Sequence, residues 1–416
     1  MSTPPARPRP TTTSPAPVPP PPTRPATPRP GTPSPGAIAT TTRRTPSPTP
    51  SPRRFRVIRA ALIVYTLVVT VFGVVAVTAA QTEQQSRAET ITHAQDVRDL
   101  RVEVAQAQAS ALASLLDPQG GDWTTYQQVS STIDLSLLTA AASASHPSDL
   151  EATASGIRQW RDDITVAHNQ ATSAASAPDA TTVDTAYHTQ VVAALSGDAG
   201  VTTDDQASWI TVVRFALGLF ATAVLVHLLA MVVMAQRTHR VINIGLAIAM
   251  LAVAGATAVL GIYDARSSQI SVTDSRVATL SQAQADTWDI QSMTLMAVVA
   301  PDTSASSLAQ ATSLMGSLAT AASTFPDLAD SVSQVSSRMS DVTSAADDAS
   351  RAALALDATP WQATAAAIGA DIDAQRLDTA TLVVSSLWYV VALASGCVVA
   401  IIATLAGVHA RIKEYS

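Results

Sequence analysis

After residue 52 the chain carries only six prolines, in two matching sets: Pro118, Pro147 and Pro178, then Pro301, Pro326 and Pro360. Proline lacks an amide hydrogen and biases the preceding residue away from helix, so each one marks a place where a helix stops or starts. Each set lies between two apolar runs. A second register mark agrees, because Arg56-Val57-Ile58 opens the first run and Arg240-Val241-Ile242 opens the third. The chain reads as one unit written twice: an apolar helix, a polar segment that three prolines divide into four helices, and a second apolar helix. The expected fold is an all-α membrane protein with four transmembrane helices and two extracytoplasmic four-helix bundles in tandem repeat.

The apolar runs lie at 57–80, 209–234, 243–262 and 383–408, each near the ~20 residues that cross a bilayer. Charge predicts the orientation. The segment up to Arg59 holds ten arginines and no acid, the 235–242 connection adds Arg237 and Arg240, and the 409–416 tail adds Arg411 and Lys413 against Glu414. Residues 81–208 reverse this with seventeen acids and five arginines, and 263–382 with fourteen acids and five arginines. By the positive-inside rule both termini are cytoplasmic and both long segments lie outside a plasma membrane. The net charge of −7 conceals this separation. Residues 1–54 hold nineteen prolines among Thr, Ser and Arg, and cannot bury enough apolar surface to fold, so a disordered cytoplasmic arm is expected. The lone cysteine, Cys397, sits in the last run and excludes an intramolecular disulfide.

Heptad spacing marks the seams of the polar segments. Leu328, Val332, Val335, Met339, Val342, Ala346, Ala349 and Ala353 alternate steps of four and three. Leu150, Ala154, Ile157, Trp160, Ile164, Ala167, Ala171 and Ala174 nearly match them in the first copy, and Val97, Leu100, Val104, Ala107, Ala111 and Leu115 form another face. Without a Gly or Pro cluster at Gln81–Leu116 or Trp361–Val384, the first helix of each copy should continue from a span and the fourth should run into one.

The chain contains no phosphate loop, nucleotide fingerprint, HExxH, CxxC or GxSxG motif. Its seven histidines never reach metal-ligand spacing, and dispersed acids such as Asp162-Asp163 and Asp347-Asp348 suit a solvated face. Catalysis, a cofactor, a metal and a nucleic-acid partner are not expected. One cluster invites a binding role: Arg158, Trp160 and Arg161 on the third helix of the first copy, with Arg98 and Arg101 one turn apart on its first. Paired arginines beside an aromatic can hold a carboxylate ligand or a partner protein. The alternative is surface ion pairing with Asp99, Asp162 and neighbouring acids while Trp160 fills the seam. In the second copy Trp288 and Asp289 offer only a thin analogue. Within the membrane, His227 is expected to touch a neighbouring helix, while Ala392, Gly396 and Ala400 on the fourth span, and Ala254 with Ala258 on the third, form small-residue stripes for close packing. Arg214 should snorkel outward. Trp209, Tyr263, Trp388 and Tyr389 should mark the outer interface.

A basic Pro-rich arm, four spans and two large helical outside segments together resemble the GlnX-type membrane proteins of actinobacteria; Lys413 as the only lysine suits such a GC-rich source. The likeness is one of architecture over about residues 53–416, and it carries over no site residue. It implies a relay between an extracytoplasmic amino-acid-binding lipoprotein and a cytoplasmic serine/threonine protein kinase, controlling glutamate and glutamine metabolism. Each polar segment is also similar to chemoreceptor sensor bundles, but no HAMP or signalling coiled coil follows, so output requires a partner. A homo-oligomer fits the alanine-rich seams, which bury little area. The alternative is a structural or accessory scaffold of an envelope complex. A transporter is disfavoured, because the spans hold no paired broken helices.

The charge asymmetry predicts a labelling pattern. In a Cys397→Ala background, single cysteines at Ser145 and Ser340 react with an impermeant thiol reagent on intact cells, and one at Ser34 does not. Labelling at Ser34 would reverse the orientation.

Overall fold

The computed structural model describes residues 52–144, 150–173, 178–198, 206–238, 243–382 and 387–414, and among them it contains helices and no strand. The first half comprises α1 (Pro52–Leu116), α2 (Asp122–Ser143), α3 (Glu151–Ser173), α4 (Ala180–Ala186), a π-helical turn (Tyr187–Val192), α5 (Ala193–Asp198) and α6 (Gln206–Thr238). The second comprises α7 (Ile244–Val299), α8 (Ser304–Thr324), α9 (Ala329–Ser344), α10 (Asp348–Leu356), α11 (Thr359–Leu382) and α12 (Leu387–Glu414). Four stretches are long and apolar enough to cross a membrane: Arg56–Ala79, Thr211–Gln236, the first part of α7, and Trp388–Ala410. This is the make-up of a multi-pass membrane protein.

Helix α1 runs for 65 residues and α7 for 56, each from an apolar span straight into a polar segment. At 1.5 Å per residue they are about 98 Å and about 84 Å long, twice or more what a bilayer core needs. The matching expectation for the fourth helix of each copy falls on 199–205 and 383–386, outside the described residues. Proline punctuates as expected at Pro118, between α1 and α2, and at Pro301 and Pro326, which open short 3-10 turns before α8 and α9. Pro147 lies outside the described residues.

One break has no proline. The third helix of the second copy was expected to run on through Ala353, yet α9 ends at Ser344 and α10 begins at Asp348. Asp347 makes the break, its Oδ1 accepting from the Ser350 amide at 2.7 Å as an N-cap. The seam splits accordingly: Leu328, Val332, Val335, Met339 and Val342 are buried, whereas Ala346, Ala349 and Ala353 are exposed. In the first copy Leu150, Ile157, Trp160, Ile164 and Ala167 are buried as the spacing predicts.

The spans pack through small residues. A β-carbon at Gly73 of α1 would fall 2.4 Å from Phe220 Cε2 of α6, and one at Gly245 of α7 would fall 2.4 Å from Gly407 Cα of α12. Asn243 bridges that last crossing: its Oδ1 accepts from the Leu246 amide at 3.4 Å, and its Nδ2 donates to Gly407 O at 3.2 Å. Ala400 is buried, Gly396 faces Ala252 and Ala256, and Ala392 is half-buried, so the stripe on the fourth span turns toward α7. The answering face of α7 is Ala249, Val253, Ala256 and Leu260. Ala258 is exposed and Ala254 half-buried; the α7 residues that Gly396 meets, Ala252 and Ala256, lie two positions earlier in the chain. At the other end of these spans Tyr263 meets Tyr389 edge-on, with ring centroids 5.3 Å apart. Arg214 stands 3.6 Å from Asp264 there.

Beyond the spans, the buried side chains of the two polar segments form a single contiguous cluster. It runs from Val97, Leu100 and Trp160 through Leu280, Ile290 and Leu295 to Trp361 and Ile368. The halves therefore share one hydrophobic core. Helix α7 is its axis, since every residue from Ala285 to Ala297 is buried. A helix apolar or enclosed on all sides belongs at the centre of a packed body, with the amphipathic helices around it.

Candidate functional site

Two of the arginines singled out from sequence, Arg98 and Arg101, lie on the seam between the halves. On α1, the Arg101 guanidinium donates through Nη1 to Tyr187 Oη and through Nη2 to Asp289 Oδ2, and the Tyr187 hydroxyl donates to Asp289 Oδ1. The three groups close a triangle: α1 and the π-helical turn come from the first copy, α7 from the second. Asp289 is 4% exposed and Tyr187 fully buried. Every acceptor oxygen of the carboxylate is used, as burial of a charge demands.

Two further ion pairs cross the same seam. Arg98 Nη1 lies 3.4 Å from Asp274 Oδ1, and Arg376 Nη2 of α11 donates to both oxygens of Asp99, at 2.8 and 3.0 Å. Asp99, expected to serve a local arginine, is thus taken by the other copy. Burial tends to strip the charge from Arg101, but Tyr187 and Asp289 outweigh it and hold the guanidinium pKa above its ordinary value. Burial also pushes the Tyr187 hydroxyl far up, against the pull of Arg101. Two nearby carboxyls carry a net penalty. Burial raises Asp184, with His188 opposing it, and raises Asp286, against hydrogen bonds from Ser317 and Gln282.

The remaining candidates do local work. Trp160 is fully buried and its Nε1 donates to Gln108 Oε1 at 2.8 Å. It continues an aromatic column in which ring centroids are 4.9 Å apart for Trp123–Tyr126, 6.4 Å for Tyr126–Trp160 and 6.1 Å for Trp160–Tyr187. Arg161 donates to Asp134 Oδ1 at 2.7 Å and to Ser130 O at 2.6 Å, tying α3 to α2. Arg158 is exposed and joins none of these groups. The five residues do not gather into one pocket. A cleft of about 500 Å3 between α8 and α9 is lined by Met315, Gly316, Ala319, Val332, Ser333 and their neighbours, with no charged side chain.

Sequence reasoning missed Tyr187, Asp274 and Arg376 and undervalued Asp289. No charge signal marked them: the polar part of α1 (81–116) holds five acids and three arginines and that of α7 (263–299) four acids and two arginines, so neither helix announces its partner. Comparison with protein-family models, with curated proteins and with solved structures finds no match to this chain.

Arg101→Met leaves Asp289 buried without its counter-charge and should cost about 3–5 kcal/mol. Adding Asp289→Asn should recover most of that. Denaturant unfolding of the detergent-solubilised chain reads both values, and a loss below about 1 kcal/mol for Arg101→Met would remove the triangle from the account.

Proposed function

We propose that the protein is a non-catalytic transmembrane signal transducer, with its helical body outside the cell and both termini in the cytoplasm. In the finer reading that body is a tandem pair of four-helix bundles fused along the α1–α7 seam. An extracytoplasmic solute-binding lipoprotein supplies the input, and a cytoplasmic serine/threonine kinase receives the output. Glutamate or glutamine status as the signal follows from the architectural resemblance to GlnX-type proteins.

The observation that supports this reading best is the continuity of α1 and α7. Each is a single helix from one end of its span to the core of the polar body, so a displacement imposed on that body is carried by helix backbone into the membrane. The cross-seam ion pairs make the two rods move as a pair. A body so joined offers a partner a firm surface to push against.

Softening one rod tests the reading. Ala265→Gly with Ser268→Gly, just beyond the third span, adds backbone freedom at roughly 1–2 kcal/mol. Membrane levels and capture of the lipoprotein should be unchanged, while the nutrient-dependent change in kinase-substrate phosphorylation should be lost. A scaffold tolerates the substitution, so an intact response favours the scaffold and removes the relay.

A further inference from the structure

His227 of α6 is fully buried among the spans. Its Nδ1 lies 2.8 Å from the carbonyl oxygen of Ala223, one turn back along the same helix. A carbonyl only accepts, so Nδ1 carries the hydrogen. In the uncharged ring Nε2 then presents a lone pair, and that atom is buried with no hydrogen-bond partner.

Register identifies what stands opposite. Gly73 of α1 and Phe220 of α6 face one another, and the two helices run antiparallel, α1 leaving toward the polar body and α6 returning from it. Seven residues make nearly two turns and return to the same helix face. Two turns further from the body, Gly73 becomes Thr66 and Phe220 becomes His227. Thr66 is 2% exposed, and its hydroxyl donates to Leu62 O at 2.7 Å. The facing pair thus holds two polar groups, with its one free donor turned back onto the α1 backbone.

We propose that Thr66 and His227 form a switchable hydrogen bond between the first and second spans. Rotation about χ1 of Thr66 moves its hydrogen from Leu62 O to His227 Nε2, and threonine in helices populates two such rotamers. The exchange trades one neutral hydrogen bond for another of the same kind, so a slight shift of α1 along α6 suffices to select the partner. In an apolar bundle an interhelical bond of this sort acts as a link between the helices. Under the relay reading, on which only this consequence rests, the link decides whether α6 follows α1. The titratable groups on the facing stretches of α1 and α7 are Arg56 and Arg59, at least seven residues from Thr66, Tyr263 at the far end of α7, and Tyr65. Tyr65 is a competing hydroxyl donor on α1, as is Thr70, which donates to Thr66 O at 2.6 Å.

Nitrogen-15 NMR of histidine-labelled full-length protein in lipid bilayers tests the bond directly, with the His227 signal assigned by its disappearance in His227→Gln. The Nε2 resonance should show a hydrogen-bonded population, as a second peak or an averaged shift. Thr66→Val should move it wholly to the unbonded position, Thr66→Ser should retain the bonded population, and Tyr65→Phe should change nothing. An Nε2 resonance identical in wild type and Thr66→Val, or one abolished by Tyr65→Phe, overturns the proposal. The readout needs no signalling partner, so failure here is separate from failure of the relay.

Discussion

A guanidinium does not give up its proton, so once Arg101 is enclosed, everything near it must answer a fixed positive charge. Asp289 answers from α7 and Tyr187 from the π-helical turn, and neither could do so unless the second polar segment lay against the first. A buried pair of this kind gives little net stability compared with a well-packed apolar contact, but breaking it is costly. Its effect is on specificity of arrangement. Shifting α1 against α7 by a single turn would strand the Arg101 charge and the Asp289 carboxylate together, so the triangle sets the register of two rods whose alanine-rich surfaces would otherwise slide. The Arg98–Asp274 and Asp99–Arg376 pairs, more exposed, reinforce that register.

The shared core follows from the same constraint. With α1 and α7 held side by side, the inner faces of both segments lie in one volume, and Leu100, Ile290, Trp160 and Trp361 become parts of one packed interior. Helix α7 gives up its solvent face to become the axis. That explains how Gln291, Ser292 and Thr294 come to be buried on it alongside Leu295 and Met296.

Much of this was legible in the chain. Hydropathy located the spans, proline spacing the helix boundaries, and heptad steps the buried residues of α1, α3 and α9, because each signal is local and periodic. The pairing of the two segments was not, because it depends on charges separated by 176 to 277 positions. Arg98 and Arg101 stand out in the sequence as candidate binding residues; what they bind is the other repeat. The break at Asp347 was hidden by a seam whose spacing continues through it, since a capping carboxylate can end a helix without disturbing the heptad count. In the membrane, the stripe at Gly396 and Ala400 was readable, but the face of α7 that meets it was set by the Gly245–Gly407 crossing and the Asn243 bridge at the opposite end of the span.

The central claim is that the two polar segments fold as one body around the α1–α7 seam. Each segment holds one fully buried tryptophan, Trp160 in the first and Trp361 in the second. Single-tryptophan variants of the full chain, retaining one or the other, report the two halves separately during denaturant unfolding. The account predicts coincident transitions with the same midpoint. Two transitions, with one tryptophan exposed while the other still reports a native environment, would contradict it.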